Sequence, residues 1–244
     1  MKKVRMSLKG IACALLAGMA FASCNKKDTP APPQPKNAGI QLVHASPKTG
    51  ELSIDVNGKK IQDKVQFLNQ SKAYMAVDVQ NDAALKFTLD GSKVVVDNKY
   101  KLADKGTYSL FLYDTLLNNK IRAVLLNDNL SDPGKGKTSL RFLHLSPNTP
   151  NVDIDVFKGS DSIRLVSNTP FIGEKPDVAV LSTFKPIASG DYRVKVKVKD
   201  GTVKTILDIP SVKLMEGKIV TLYLSGLAKG TGALGVGLQQ WQHK

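Results

Sequence analysis

The chain carries one short opening twice. Leu42-Val43-His44-Ala45-Ser46-Pro47 recurs as Phe142-Leu143-His144-Leu145-Ser146-Pro147, and Ile54-Asp55-Val56 recurs as Ile154-Asp155-Val156, each 100 positions later. A duplication on that scale means two copies of one domain rather than one large catalytic fold. Within each copy, apolar residues alternate at period two and are interrupted by hairpin chemistry: Asn57-Gly58 and Asp90-Gly91 in the first, Asp200-Gly201 in the second. Late strands are expected over 108–113 and 219–224, and final strands over 123–126 and 234–238. Seven or so short strands per copy, with no long helical period, predict an all-β chain of two tandem immunoglobulin-like (Greek-key) β-sandwiches and no helix beyond the N-terminal region.

The N-terminal region differs in kind. Lys2, Lys3, Arg5 and Lys9 precede a short apolar run, Ile11 to Ala22. Such a run is short for a bilayer span, which needs about 20 apolar residues, and it fits a signal peptide. Phe21-Ala22-Ser23-Cys24 resembles a bacterial lipobox, with Phe21 where leucine is usual; the resemblance implies lipidation of Cys24, which would anchor the chain through several acyl chains. Cys13 and Cys24 are the two cysteines of the sequence, so a processed chain would hold no disulfide and no thiolate site. Thr29-Pro30-Ala31-Pro32-Pro33-Gln34-Pro35 then favours an extended polyproline II spacer. The expected organisation is a signal peptide over 1–23, lipidated cysteine and linker over 24–37, and sandwiches over 38–133 and 134–244.

Charge divides these sandwiches. Residues 38–133 hold 12 Lys and Arg against 11 Asp and Glu, whereas residues 134–244 hold 16 against 9, a net of +7. The sharpest basic feature is Tyr192-Arg193-Val194-Lys195-Val196-Lys197-Val198-Lys199. As a strand it puts Arg193, Lys195, Lys197 and Lys199 on one face, a stripe about 20 Å long. Such a stripe suits a polyanion or an acidic glycan, and equally a solvated face that discourages edge-to-edge pairing.

The duplicated residues invite a chemical reading. His44 and Ser46 share a strand face, as do His144 and Ser146. Neither serine sits in a nucleophile elbow, and Pro47 and Pro147 follow directly, so hydrogen bonding to loop backbone is the expected role. Asp55 and Asp155 interrupt apolar strands, where outward solvation or a turn-fixing hydrogen bond is expected. One histidine per motif is too few for a metal centre, and no cofactor is expected. Trp241, the single tryptophan, either packs over a sandwich end or offers a stacking platform.

The stretches Leu42–Lys59 and Phe142–Gly159 resemble the opening of an uncharacterised family of exported bacterial domains, domain of unknown function 4397. The second copy retains the signature's proline at Pro150 and carries an insertion at Phe157-Lys158-Gly159-Ser160, while the first lacks the proline near Gly50. The resemblance covers both copies and implies a β-sandwich on a secreted or surface lipoprotein of Bacteroidetes type, with no established activity. A non-catalytic binding or adhesion role at the cell envelope is therefore expected. Partners would be the membrane, through the lipid anchor, and an envelope polysaccharide or envelope protein; nucleic acid is not favoured. Alternatives are a polyanion-binding module and a spacer without a ligand. Recognition loops are expected at 168–177, 114–120 and 225–232.

Overall fold

Period-two alternation places one face of most strands in a core and the other in water, but the strands nearest each copy's centre are apolar on both faces. Leu110-Phe111-Leu112-Tyr113 and Leu222-Tyr223-Leu224 are fully buried runs, the pattern of strands covered on two sides. Four layers of sheet follow from this. The structure is a computed structural model and describes residues 36–79, 81–117 and 120–243. The expected signal peptide, Cys24 and nearly all of the expected linker lie outside the described residues.

The first half holds β1 (Asn37–His44), β2 (Leu52–Val56), β3 (Lys59–Val65), β4 (Met75–Asp78), β5 (Ala83–Leu89), β6 (Lys93–Tyr100), β7 (Thr107–Leu117) and β8 (Lys120–Asn127). Its two sheets run β4-β1-β7-β8 and β3-β2-β5-β6. The second half holds β9 (Lys137–His144), β10 (Val152–Lys158), β11 (Asp161–Thr169), a short helix α1 (Val178–Leu181), β12 (Lys185–Ala188), β13 (Gly190–Asp200), β14 (Thr202–Leu214), β15 (Ile219–Ser225) and β16 (Gly237–Gln242). Its sheets repeat the order as β12-β9-β15-β16 and β11-β10-β13-β14. Pairing is antiparallel except for β1 with β7 and β9 with β15. The chain is thus a tandem pair of β-sandwiches, and Pro35–Lys244 forms one compact unit.

Three cores hold the layers together. Ile40, Leu42, Leu110 and Leu112 meet Ile54, Leu85 and Phe87 inside the first sandwich. Leu140, Leu222 and Leu224 meet Ile154, Val194 and Val196 inside the second. The opposite faces of the central sheets meet each other through Val43, Phe111, Tyr113, Leu143, Tyr223 and Trp241. Phe111 is edge-to-face with Tyr223 at 5.9 Å and with Trp241 at 5.5 Å between ring centroids. Each such aromatic pair adds about 1 kcal/mol beyond its burial.

Details depart from the sequence reading. Asn57 and Gly58 have φ of 51° and 78°, and Asp90 and Gly91 have 50° and 75°, as type I′ turns require. The last strand begins later than expected: Gly232–Leu234 is a 3-10 turn and β16 starts at Gly237. Asp114 to Leu117 continue β7 past an irregularity at Asp114, where φ is 69°, so the loop expected over 114–120 is mostly strand. The helix α1 was not expected; it sits in the long β11–β12 connection, and the Asp177 side chain caps it by accepting from Val180 N–H at 3.1 Å.

Candidate functional site

Both copies of the duplicated motif close into the same buried box. His44 and His144 have no exposed surface. Ser46 N–H lies 3.3 Å from His44 Nδ1, and His44 Nε2 lies 3.3 Å from Gly50 O. The corresponding distances are 3.4 Å to His144 Nδ1 and 3.2 Å to Pro150 O. A backbone N–H can only donate, so Nδ1 accepts and Nε2 carries the proton, which makes both imidazoles neutral. Burial agrees, lowering His44 to about 4 against a weaker opposing bond to Gly50, and lowering His144. Each serine hydroxyl donates across the sandwich end, Ser46 to Asp114 O at 2.5 Å and Ser146 to Gly226 O at 2.7 Å. Each also meets a threonine hydroxyl, Thr49 in the first copy and Thr149 at 2.6 Å in the second. These threonines were missed by sequence reasoning, although the shared spacing His-X-Ser-Pro-X-Thr was visible. The motif is thereby committed to fixing a loop, with its Ser and His shielded from any substrate.

The carboxylates and the basic stripe belong to one lattice of charges. Arg193, Lys195, Lys197 and Lys199 do line one face of β13, with Val194, Val196 and Val198 in the core. Carboxylates on the adjacent strands answer three of the four. Arg193 makes a fork with Asp208 at 2.7 and 2.6 Å, and Lys195 reaches the same carboxylate at 3.8 Å. Lys197 donates to Asp155 at 2.7 Å, and Arg164 also pairs with Asp155. Asp155 is therefore a cross-strand hub and not the solvated or turn-fixing group expected. Burial alone would raise its carboxyl, but the bonds from Arg164 and Lys197 outweigh it and hold it below the ordinary range. Asp55 is half-buried and sits in register with Lys60 and Lys86. Pairing of this kind leaves a weaker positive field than the sequence implied.

Trp241 is 4% exposed in the core between the halves, so neither ring face is open to a ligand and the stacking platform is withdrawn. The final strand expected over 234–238 fails over its first residues because that segment turns before β16 begins.

Beside Trp241 lies a polar cluster that sequence reasoning missed. Arg141 and Asp128, at 1% and 0% side-chain exposure, form an ion pair at 2.8 Å. Ser109 and Tyr74 hydroxyls donate to Asp128 at 2.6 and 2.8 Å. Arg141 Nε donates to Thr221 Oγ1 at 2.8 Å, and Thr221 Oγ1 lies 2.7 Å from His243 Nε2. Arg141 also stacks over Phe184 at 4.4 Å. Burial raises Asp128 despite Arg141 and the two hydroxyls, and burial with Arg141 lowers His243 to about 3. The groups occupy matching places in the two halves. Gln41 pairs with Ser109 in register as Arg141 pairs with Thr221. Asp128 N–H donates to Thr107 O as His243 N–H donates to Ile219 O, both at 2.8 Å. Polar residues at the same point in both copies of an apolar strand, Gln41 and Arg141, were the available signal.

Among the described residues, no three His, Cys, Asp or Glu groups converge where a metal could sit, and no helix is long and apolar enough to cross a membrane.

Residues 38–155 match the family model "Domain of unknown function (DUF4397)". That match supports the family read from the duplicated opening, and it runs through the first half into β10, so it includes both His-X-Ser-Pro boxes. No curated protein matches the chain. Among solved structures, a leucine-rich repeat protein from Bacteroides thetaiotaomicron VPI-5482 aligns with 78% of this chain at 11% identity and a TM-score of 0.20, a likeness too slight to carry an argument. This chain spans 26% of that one.

Proposed function

We propose that this chain is a non-catalytic, lipid-anchored protein of a bacterial cell envelope, of Bacteroidetes type, whose fused sandwiches present a rigid binding surface at the end of a proline-rich spacer. The observation that carries the reading is the fate of the duplicated motif. Both histidines and both serines are buried, neutral and bonded to loop backbone, so what the duplication preserves is architecture rather than acid–base chemistry. The anchor rests on Phe21-Ala22-Ser23-Cys24 behind a basic, apolar leader. Its test is palmitate labelling and membrane fractionation in a Gram-negative host. The full chain takes up label and sediments with membranes, and Cys24→Ala loses the label and shifts to the soluble fraction. Equal sedimentation of both forms without label would overturn the anchor.

A polyanion-binding second half is the weaker reading, because Asp155 and Asp208 partner three of the stripe's four cations. What favours it is the net +7 of residues 134–244. It requires binding to acidic glycans that falls with salt and with neutralisation of Lys195, Lys197 and Lys199. A spacer without a ligand is the remaining alternative.

A further inference from the structure

The two halves differ at one strand edge. In β9, Ser139 N–H donates to Lys218 O and Leu145 N–H to Leu224 O, so odd-numbered residues face β15 and even-numbered residues face the outer edge. The same phase holds in β1. In the first half the chain closes that edge itself. Beyond Ile40, where pairing with β4 stops, Leu42 N–H donates to Ser71 Oγ at 2.8 Å and Leu42 O accepts from Ser71 N–H at 2.9 Å. His44 N–H donates to Asn69 O at 3.0 Å, and Gln70 forms an antiparallel bridge with Val43.

In the second half, pairing with β12 stops at Leu140, and His144 O accepts from Ile172 N–H. Among the described residues, nothing closes on the N–H and C=O of Phe142 or on the N–H of His144. The connection that could have done so runs for 15 residues (170–184), against 9 (66–74) in the first half, and detours through α1. The detour leaves a cleft of about 400 Å³ lined mainly by Leu140, Phe142, Leu165, Val166 and, from α1, Val180 and Leu181, with Thr169, Thr183 and Lys185 in its polar lining. Phe142 is half-buried where its counterpart Leu42 is fully buried, and Val180 is 66% exposed.

Apolar walls around an unpaired amide edge select the ligand. A hydrocarbon would cover three backbone groups without partners, and a sugar would find Thr169, Thr183 and Lys185 but would leave the apolar lining of Leu140, Phe142, Leu165 and Val166 unmatched. An extended peptide satisfies both features, with its main chain bonding the edge and alternate side chains entering the cleft. The first half displays this arrangement with its own Asn69–Ser71 segment. We propose that the cleft binds an extended peptide strand of a partner protein, added antiparallel to β9 at Phe142, with small apolar side chains at alternate positions. The proposal deepens the binding role above by naming its partner class, and it is independent of the anchor.

The test uses amide hydrogen exchange of the full chain with the probe acetyl-Ser-Val-Thr-Val-Ser-amide. In the free chain the Phe142 and His144 amides exchange faster than those of Leu42 and His44. At about ten times its Kd, the probe slows Phe142 and His144 about tenfold and leaves Leu42 and His44 unchanged. The same peptide with every amide N-methylated gives no protection. Val166→Lys and, separately, Leu165→Lys abolish the protection while keeping a cooperative thermal transition. Equal binding of the N-methylated peptide, occupation by palmitate but not by peptide, or Phe142 and His144 amides as protected as Leu42 and His44 in the free chain would each overturn the proposal. Loss of membrane attachment in Cys24→Ala with peptide protection retained leaves this inference standing; failure of the Cys24 test alone strikes only the anchor.

Discussion

The serine of each motif carries a load out of proportion to its size. Ser146 Oγ lies 2.6 Å from Thr149 Oγ1 and 2.7 Å from Gly226 O, all within a box closed to water. Removing the hydroxyl leaves Gly226 O and Thr149 without that partner, and a buried polar group stranded in this way costs about 1–3 kcal/mol. Ser146→Ala should lower the urea midpoint correspondingly with an unchanged slope; a shift below the error of the measurement would show that the box does not hold the loop. The arginine at the centre obeys the same logic at higher stakes. Its charge is matched by Asp128, its Nε donates to Thr221 and its Nη1 reaches Asn127 O at 3.4 Å, so removing either member of the ion pair would strand a buried charge.

At the scale of elements, turn geometry sets which strands can meet. Asn57 stands at φ 51°, and its side-chain oxygen also accepts from Ala84 N–H at 2.9 Å. It therefore fixes the β2–β3 turn and ties it to β5. Asn57→Ala loses that bond and keeps the left-handed backbone, a combined cost of about 1–2 kcal/mol, read as a fall in melting temperature. An unchanged melting temperature would mean that the turn is held by strand pairing alone. The β13 stripe teaches a related lesson. Period two correctly places its cations on one face, yet their electrostatic effect depends on Asp155 of β10 and Asp208 of β14, which only strand order brings alongside.

For the whole molecule, the halves associate through the same face of the same sheet, as an isologous dimer would. Fusion in one chain has let matching positions diverge, Gln41 against Arg141 and Asp128 against His243, so that charges unsuited to a symmetric pair become complementary. Two expectations follow at this scale. Trp241 reports on the core between the halves, so its fluorescence should change in the same denaturant range as far-ultraviolet circular dichroism; an earlier fluorescence transition would mean that the halves part before either unfolds. Acid should also act early. The folded chain holds His44 near 4 and His243 near 3, with His144 also lowered. These groups contribute stability that is complete above about pH 6.5, the unfolded value, and is lost as pH falls toward the folded values. His44 alone accounts for about 3 kcal/mol across that window at about 1.4 kcal/mol per unit. Asp128, raised by burial, acts in the opposite sense at the acid end. Urea midpoints should therefore fall between pH 7 and pH 5, above the range where ordinary carboxylates titrate, and a flat profile there would contradict the buried neutral imidazoles.

The sequence by itself determined the duplication, the strand-rich class, the I′ turns and the faces of β13, because repeats, turn residues and alternation are local signals that survive without knowledge of partners. The apolar runs Leu110–Tyr113 and Ile219–Leu224 also announced strands buried on both faces, a signal that the alternation argument passed over. Only the tertiary structure decided that these runs pack against each other. It also decided that Trp241 and the Arg141–Asp128 pair lie between the halves, that the stripe's charges are answered by β10 and β14, and that β9 keeps an unpaired edge where β1 has none. Each of these depends on residues about 10 to 130 positions apart meeting in space, and their meeting is set by strand order and sheet packing, which no local pattern encodes.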